Sequence, residues 1–272
     1  MVSLGKYLYN SMKSNSSLFA IKDGARFISY DELNNKALAI GGFLFENGIK
    51  DENVGIITQR NFSAYAGILG VIYSGCTYVP INGKYPKEKI TNIINGANIK
   101  VLISSEEDWT KIRHKIEDID KIKFLLFPDG DNKHNEVTKS INNDDIDKIT
   151  LLKEPVDFDN DKNVYIMFTS GSTGNPKGVE VSNTNVLCLL KNMKKYYDLD
   201  PGFRSSQTFD LSFDLSVSDM FFTWANGGML CVLNENELYC PSEYINREKI
   251  EFWHSVPTLA EFMNRLGFLK PQ

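Results

Sequence analysis

The stretch from Tyr165 to Val179, Y-I-M-F-T-S-G-S-T-G-N-P-K-G-V, gathers the groups that hold a polyphosphate. The hydroxyls of Thr169, Ser170, Ser172 and Thr173 donate hydrogen bonds. Gly171, Gly174 and Gly178 let a backbone approach a ligand and offer N–H groups where a Cβ would clash. Lys177 adds a mobile point charge. A plain connecting loop accounts for Ser-Gly-Ser but leaves the Pro-Lys-Gly ending unexplained. A Walker loop wants Gly immediately before the lysine and Ser or Thr after it, where this chain has Pro176 and Gly178, and no G-x-G-x-x-G occurs in the loop. A second candidate is Phe213-Asp214-Leu215-Ser216-Val217-Ser218, in which Asp214 stands where it either caps a helix or binds a cation. A third is His254, in an apolar stretch where a histidine is either a satisfied core residue or a pocket group.

These groups need elements to position them. Tyr165 to Phe168 has the content of a buried strand, which delivers the loop to one place, and Gly178 to Val181 is expected to return as a second strand. Upstream, the pattern predicts an amphipathic helix over residues 3–15 and a hairpin over Leu18 to Ser29 turning at Asp23-Gly24. Ser29-Tyr30-Asp31-Glu32 is a capping box opening a helix that runs to Gly48. A strand at Val54 to Thr58, a helix from Phe62 to Ser74 ended by Gly75, and a short extended piece at Tyr78 to Ile81 held by Pro80 follow. Helices near Lys87 to Asn95 and Glu106 to Ile116 then alternate with strands at Lys100 to Ser104 and Lys123 to Phe127. Such alternation predicts an α/β fold of mixed, largely parallel sheets flanked by helices, with right-handed crossovers. Pro128 to Asp161 reads as a solvated connection with one short strand near Ile149 to Leu152, and divides two subdomains, 1–150 and 151–272. Beyond the loop come a helix from Asn183 to Tyr197 with Val186, Leu189, Leu190 and Met193 as its apolar stripe, strands at Ser205 to Phe209, Met229 to Leu233 and Glu251 to His254, and a last helix from Pro257 to Leu266 closed by Gly267.

Composition bounds the function. With 272 residues, 42% hydrophobic and 24% charged, the chain can bury a substantial core, which excludes disorder throughout. A net charge of −5 gives no electrostatic reason to expect nucleic acid, which calls for a basic face. Cys76, Cys188, Cys231 and Cys240 form no C-x-x-C pair and no metal-like cluster with the histidines, as expected of reduced thiols in a cytoplasmic protein. Met1 to Ser17 lacks the apolar core of a signal peptide, and the longest mostly apolar run, Tyr65 to Tyr73, is too short to span a bilayer.

The Tyr165 to Val179 stretch resembles the signature loop of the adenylate-forming superfamily: acyl-CoA synthetases, luciferases and the amino-acid adenylation domains of nonribosomal peptide synthetases. Ile28-Ser29-Tyr30-Asp31-Glu32-Leu33 and Tyr73 to Ile81 are similar to that family's first two conserved segments, although Asn82-Gly83 stands where Asp-Pro usually follows. The resemblance implies ATP and Mg2+, with residues 169–174 and Lys177 at the phosphates and Thr173 also at the metal. It places Phe213 to Ser218 and Phe252 to Pro257 in the substrate pocket, so that Asp214, Leu215, Ser218 and His254 become candidate substrate contacts. In amino-acid-activating members the aspartate of this segment binds the α-ammonium, and F-D-L-S-V is also the form found in D-alanine-activating ligases. Those ligases carry a bulkier residue than Ser218, so alanine is not carried over as the substrate. Asn183 occupies a place where many relatives have histidine.

The resemblance covers the first half of a complete adenylation domain. It implies that the Tyr-Gly-Pro-Thr-Glu segment, the ribose-binding aspartate and the mobile subdomain with its catalytic lysine lie outside this sequence, so no residue here is assigned as catalytic. The expected function is ATP-dependent adenylation of an amino acid followed by transfer to a carrier protein's phosphopantetheine thiol, with this chain inactive alone. Two alternatives remain open: a fragment of an acyl- or aryl-CoA synthetase, and a non-catalytic or split module acting with a partner chain.

Overall fold

The computed structural model describes residues 2–117, 119–132, 134, 139–159, 161–170, 176–234, 237 and 240–268. Its strands are β1 (Phe19–Asp23), β2 (Arg26–Ser29), β3 (Asn53–Thr58), β4 (Thr77–Asn82), β5 (Val101–Ile103), β6 (Phe124–Leu126), β7 (Lys139–Ile141), β8 (Asn163–Ser170), β9 (Pro176–Ser182), β10 (Arg204–Gln207) and β11 (Met229–Val232). Among the described residues they form a seven-stranded sheet in the order β7-β6-β5-β3-β4-β8-β9 and a four-stranded sheet in the order β10-β11-β1-β2. All pairs are parallel except the hairpins β1–β2 and β8–β9. The mixed sheets flanked by helices are those expected from the strand–helix alternation. Strands from either side of residue 150 contribute to both sheets.

Local signals account for most boundaries. Ser29 accepts the Glu32 N–H at 3.0 Å and opens the helix Tyr30–Glu46. The reciprocal half of the expected capping box is absent, because the Glu32 carboxylate pairs with Arg26 at 3.1 Å instead. The full box is found at Ser182, which accepts from the Asn185 N–H while the Asn185 side chain accepts from the Ser182 N–H. Gly75, at φ +75, ends the helix Phe62–Tyr73. That helix crosses Tyr30–Glu46 at Gly70, where a Cβ would come within 2.6 Å of Ile40. The two helices share one core with the first helix, Leu4–Ser14, and with Phe221, Phe222 and Trp224. A second core, around Ile90, Trp109 and Phe127, covers the opposite face of the larger sheet.

Four further expectations are corrected. Pro80 lies inside the full six-residue strand β4, between β3 and β8. This is tolerated because the ladder from β4 to β8 is confined to the Tyr78–Tyr165 pair. The short strand expected at Ile149 to Leu152 is irregular, and β7 takes the sheet edge instead. Ile149 and Leu152 are apolar because they pack on the helix Tyr30–Glu46, where the Leu152 N–H reaches the Leu38 carbonyl at 3.3 Å. In the helix Asn183–Tyr196, Leu187 is buried and Leu189 is exposed. Glu251 to His254 forms a single parallel bridge, Ser205 to Phe252, and no strand.

Candidate active site

The hairpin β8–β9 carries the candidate phosphate loop. Thr169 pairs with Lys177, and Ser170 with Pro176, at the open end of the ladder. The hairpin therefore sets an exposed cation opposite a threonine hydroxyl, as a polyphosphate requires. Gly171, Ser172, Thr173 and Gly174, including the expected metal contact at Thr173, lie outside the described residues. Among the described residues no group of three or more His, Cys, Asp or Glu could hold a metal ion.

Thr169 also borders a cavity of about 440 Å³ that Asp214 lines from the other side, together with Tyr85, Lys89, Tyr165, Met167 and Ser212. The structure thus brings together two of the candidates that lie far apart in sequence. The helix Leu215–Val217 begins after Asp214, yet the carboxylate caps nothing and, among the described residues, makes no hydrogen bond or ion pair. Its charge acts on the cavity wall: burial, and then the Asp214 carboxylate, push the Tyr165 hydroxyl up to about 12. Lys89 brings the opposite charge, with its ammonium 3.6 Å from the centre of the Tyr85 ring.

A chain of short bonds fixes the Asp214 loop. Asp210 accepts from the Ser212 N–H at 2.8 Å and hydroxyl at 2.6 Å, and from the Asn82 amide at 2.5 Å. The Tyr85 hydroxyl lies 3.1 Å from that of Ser212. Arg60 donates to the carbonyls of Gln207 and Thr208, both at 3.3 Å. Asp214 and Leu215 beside it are exposed. Ser218 and His254 meet each other, with Ser218 Oγ 3.2 Å from His254 Nδ1, and do not line the 440 Å³ cavity. His254 Nδ1 also lies 3.0 Å from Oδ1 of the fully buried Asp219. Burial raises the Asp219 carboxyl to about 6, against the lowering effect of His254 and of the Thr208 and Phe209 N–H groups.

Sequence reasoning missed Tyr85, Lys89, Asp210, Ser212 and Asp219. Two signals were available. Asp210-Leu211-Ser212 is an Asx-turn pattern, and a carboxylate inside the apolar run Val217 to Phe222 must have a partner. Asn183 is also structural: fully buried, its side chain accepts the Leu4 N–H at 2.6 Å and so satisfies the first turn of the first helix.

A family profile described as AMP-binding enzyme matches residues 9–272. The chain belongs to this family. Among AMP-binding relatives, the D-alanine--D-alanyl carrier protein ligase of Listeria monocytogenes is 32% identical over 251 residues, spanning 86% of this chain and 44% of that protein. Bacitracin synthase 1 of Bacillus licheniformis is 26% identical over 252 residues, spanning 91% of this chain and 4% of that protein. The solved structure of the Vibrio cholerae adenylation domain AlmE, in complex with glycyl-adenosine-5′-phosphate, matches with a TM-score of 0.85 at 25% identity, covering 100% of this chain and 52% of that one. The chain therefore spans less than half the length of these curated relatives. The sheets and helices are those of the N-terminal part of adenylate-forming enzymes. Among the described residues no helix is long and apolar enough to cross a membrane, and all four cysteines are free, Cys76 and Cys231 buried, Cys188 and Cys240 exposed.

Proposed function

We propose that this chain forms the part of an amino-acid-activating enzyme that holds the phosphates of ATP and the ammonium group of the substrate, and that it acts in the cytoplasm. The observation that carries the reading is Asp214. Among the described residues its exposed carboxylate has no hydrogen-bond or ion-pair partner, and it lines a cavity that Thr169 of the phosphate-loop hairpin also lines. An ammonium ion suits that position, whereas an acyl chain without one leaves the exposed carboxylate to water.

In the reaction we assign, a carboxylate oxygen of the substrate attacks the α-phosphorus of ATP. An O–P bond forms, the bond to pyrophosphate breaks, and an aminoacyl adenylate results. A phosphopantetheine thiolate of a carrier protein then attacks the acyl carbon and AMP leaves. Here Thr169, Ser170, residues 171–174 and Lys177 bind and orient the phosphates. Asp214 holds the ammonium so that the substrate carboxylate faces them, and Leu215, Ser218 and His254, which lie outside the 440 Å³ cavity, would meet only a side chain that extends beyond it. Magnesium, when bound with ATP at Thr173, neutralises phosphate charge. The groups that would stack the adenine, bind the ribose and stabilise developing charge lie outside this sequence, so residues 1–272 alone are expected not to catalyse the reaction.

The test pairs aminoacyl sulfamoyl adenosines with their des-amino counterparts in calorimetric titrations of the protein, alongside ATP–pyrophosphate exchange. The aminoacyl form should bind more tightly, and Asp214→Ala should erase that preference. Equal binding of both forms would return the reading to an acyl- or aryl-CoA synthetase. Amino-acid-dependent exchange by residues 1–272 would contradict the expected inactivity.

A further inference from the structure

The cavity that Thr169 and Asp214 line holds one charge that the phosphate and ammonium roles leave idle, the ammonium of Lys89. Lys89 stands in the first turn of the helix Lys87–Gly96, where a cation opposes the helix dipole, so helix stability does not call for it there. The residue is partly buried, and its ammonium rests 3.6 Å from the centre of the Tyr85 ring. Among the described residues that ammonium has no hydrogen-bond or ion-pair partner, which leaves its N–H donors to a ligand.

The segment that carries Lys89 is pinned on both sides of the cavity. The Tyr85 N–H donates to the Asn82 carbonyl at 3.0 Å, and Lys115 donates to the carbonyls of Gly83 at 2.8 Å and Tyr85 at 3.2 Å. The Tyr85 hydroxyl meets that of Ser212 at 3.1 Å, two residues before Asp214. At the other end of the helix Gly96 lies against Phe168 of β8, where a Cβ would come within 3.4 Å of the ring. The helix is thus joined to the Asp214 loop and to the hairpin, and these contacts hold the cation at the cavity. Lys89 and Asp214 therefore set opposite charges on one cavity of about 440 Å³ without pairing with each other. Two free charges of opposite sign suit a small ligand that carries both, and an α-amino acid at neutral pH is such a ligand.

We infer that Lys89 binds the carboxylate of the substrate, so that the cavity takes the amino acid as a zwitterion before it reacts. The inference rests on the amino-acid reading of Asp214. It gives the cation a part in the approach to ATP. The attacking carboxylate and the triphosphate are both anions, and an ammonium beside the carboxylate reduces their repulsion as the substrate nears Thr169 and the phosphates. A lysine suits this task because its charge is a compact point on a flexible stem, able to follow the carboxylate over a short displacement.

Ligand-detected NMR titrations of the chain test this with free ligands. The coded amino acids are screened first, and the tightest binder is compared with its decarboxylated amine and its des-amino acid. Lys89→Gln should weaken the amino acid and the des-amino acid by roughly tenfold and leave the amine unchanged, which also shows that the variant is folded. Lys89→Arg keeps the charge and should restore most of the loss. Asp214→Ala should do the reverse, weakening the amine and sparing the des-amino acid. An amine that binds as tightly as the amino acid, or a Lys89→Gln protein that loses amine and acid alike, overturns the inference. So does a Lys89→Gln protein that binds the amino acid normally and ATP more weakly, which gives the ammonium to the phosphates. In each of these cases the amino-acid reading stands as long as Asp214→Ala weakens the amine. Amino-acid binding that ignores Asp214→Ala, or no binding of any amino acid, overturns both.

Discussion

Glu248 closes the helix Pro241–Glu248 against the smaller sheet, and its removal gives a stability prediction with a sign in pH. The residue is 5% exposed. Its carboxylate meets Lys22 of β1 at 2.5 Å, Arg204 of β10 at 3.3 Å and Arg247 at 2.8 Å. Burial pushes its pKa up, but the bonds from Lys22 and Arg247 outweigh that and hold it below the ordinary value of 4.5. Breaking a fully buried pair costs about 3–5 kcal/mol. Lys22 and Arg204 keep 17% and 25% of their side chains in solvent, so for Glu248→Gln we reduce the expectation to about 2–3 kcal/mol. At a chain of this size that lowers Tm by roughly 4–12 °C. The folded pKa is the depressed one, so the stabilisation is fully present above the unfolded value and is lost as pH falls through the folded value. Urea unfolding of both proteins should show a gap that is constant near neutral pH and narrows as pH falls below about 4.5. A gap under about 0.5 kcal/mol at neutral pH, or one that widens as the pH falls below about 4.5, would refute the assignment of Glu248 as the charged centre of this network.

Asp210→Ala removes the acceptor that ties the Asp214 loop to Asn82 and Ser212, and should weaken aminoacyl sulfamoyl adenosine binding by roughly tenfold in calorimetry although Asp214 is intact. Gly42→Ala places a Cβ 2.4 Å from the Thr150 carbonyl oxygen, and should lower stability by about 1–3 kcal/mol in urea unfolding. A thiol reagent at pH 7.5 should modify Cys188 and Cys240 at once and spare Cys76 and Cys231 until the chain unfolds, because burial pushes both thiols up, Cys231 to about 11.

What the sequence made legible was whatever is decided within a few residues. Ser29, Gly75, Pro257 and Gly267 mark real boundaries because capping and positive φ are local events. What it hid was decided at a distance. Ile149 and Leu152 look like a strand because they are apolar, but a helix rather than a ladder buries them. Phe252 stands in a strand-like run, yet it is held by packing on Phe222, at a centroid distance of 5.2 Å, and by one bridge. Asp214 had two sequence readings, and the uncapped helix start removes one of them. Asp219 went unnoticed because its partner His254 lies 35 residues further on.

The same distinction governs how the site is held. Thr169 and Lys177 ride on the edge hairpin of the larger sheet, whereas Asp214 follows β10, the edge strand of the smaller one. Nothing in either motif fixes the span between them. That span is set by the Asn82 amide at the end of β4 donating to Asp210 after β10, with the hydroxyls of Tyr85 and Ser212 in contact alongside. A bond from a neutral donor to a carboxylate is among the stronger kinds available. It places the distance between the proposed ammonium site and the proposed phosphate loop under the control of a residue that lines neither. Under the proposed function geometry matters steeply, since the substrate carboxylate would have to arrive within attack range of phosphorus while its ammonium stayed on Asp214. On this reading Asp210 is the joint of the site, and its place two residues before Ser212 follows from the need to turn the chain back toward β4 before the helix begins.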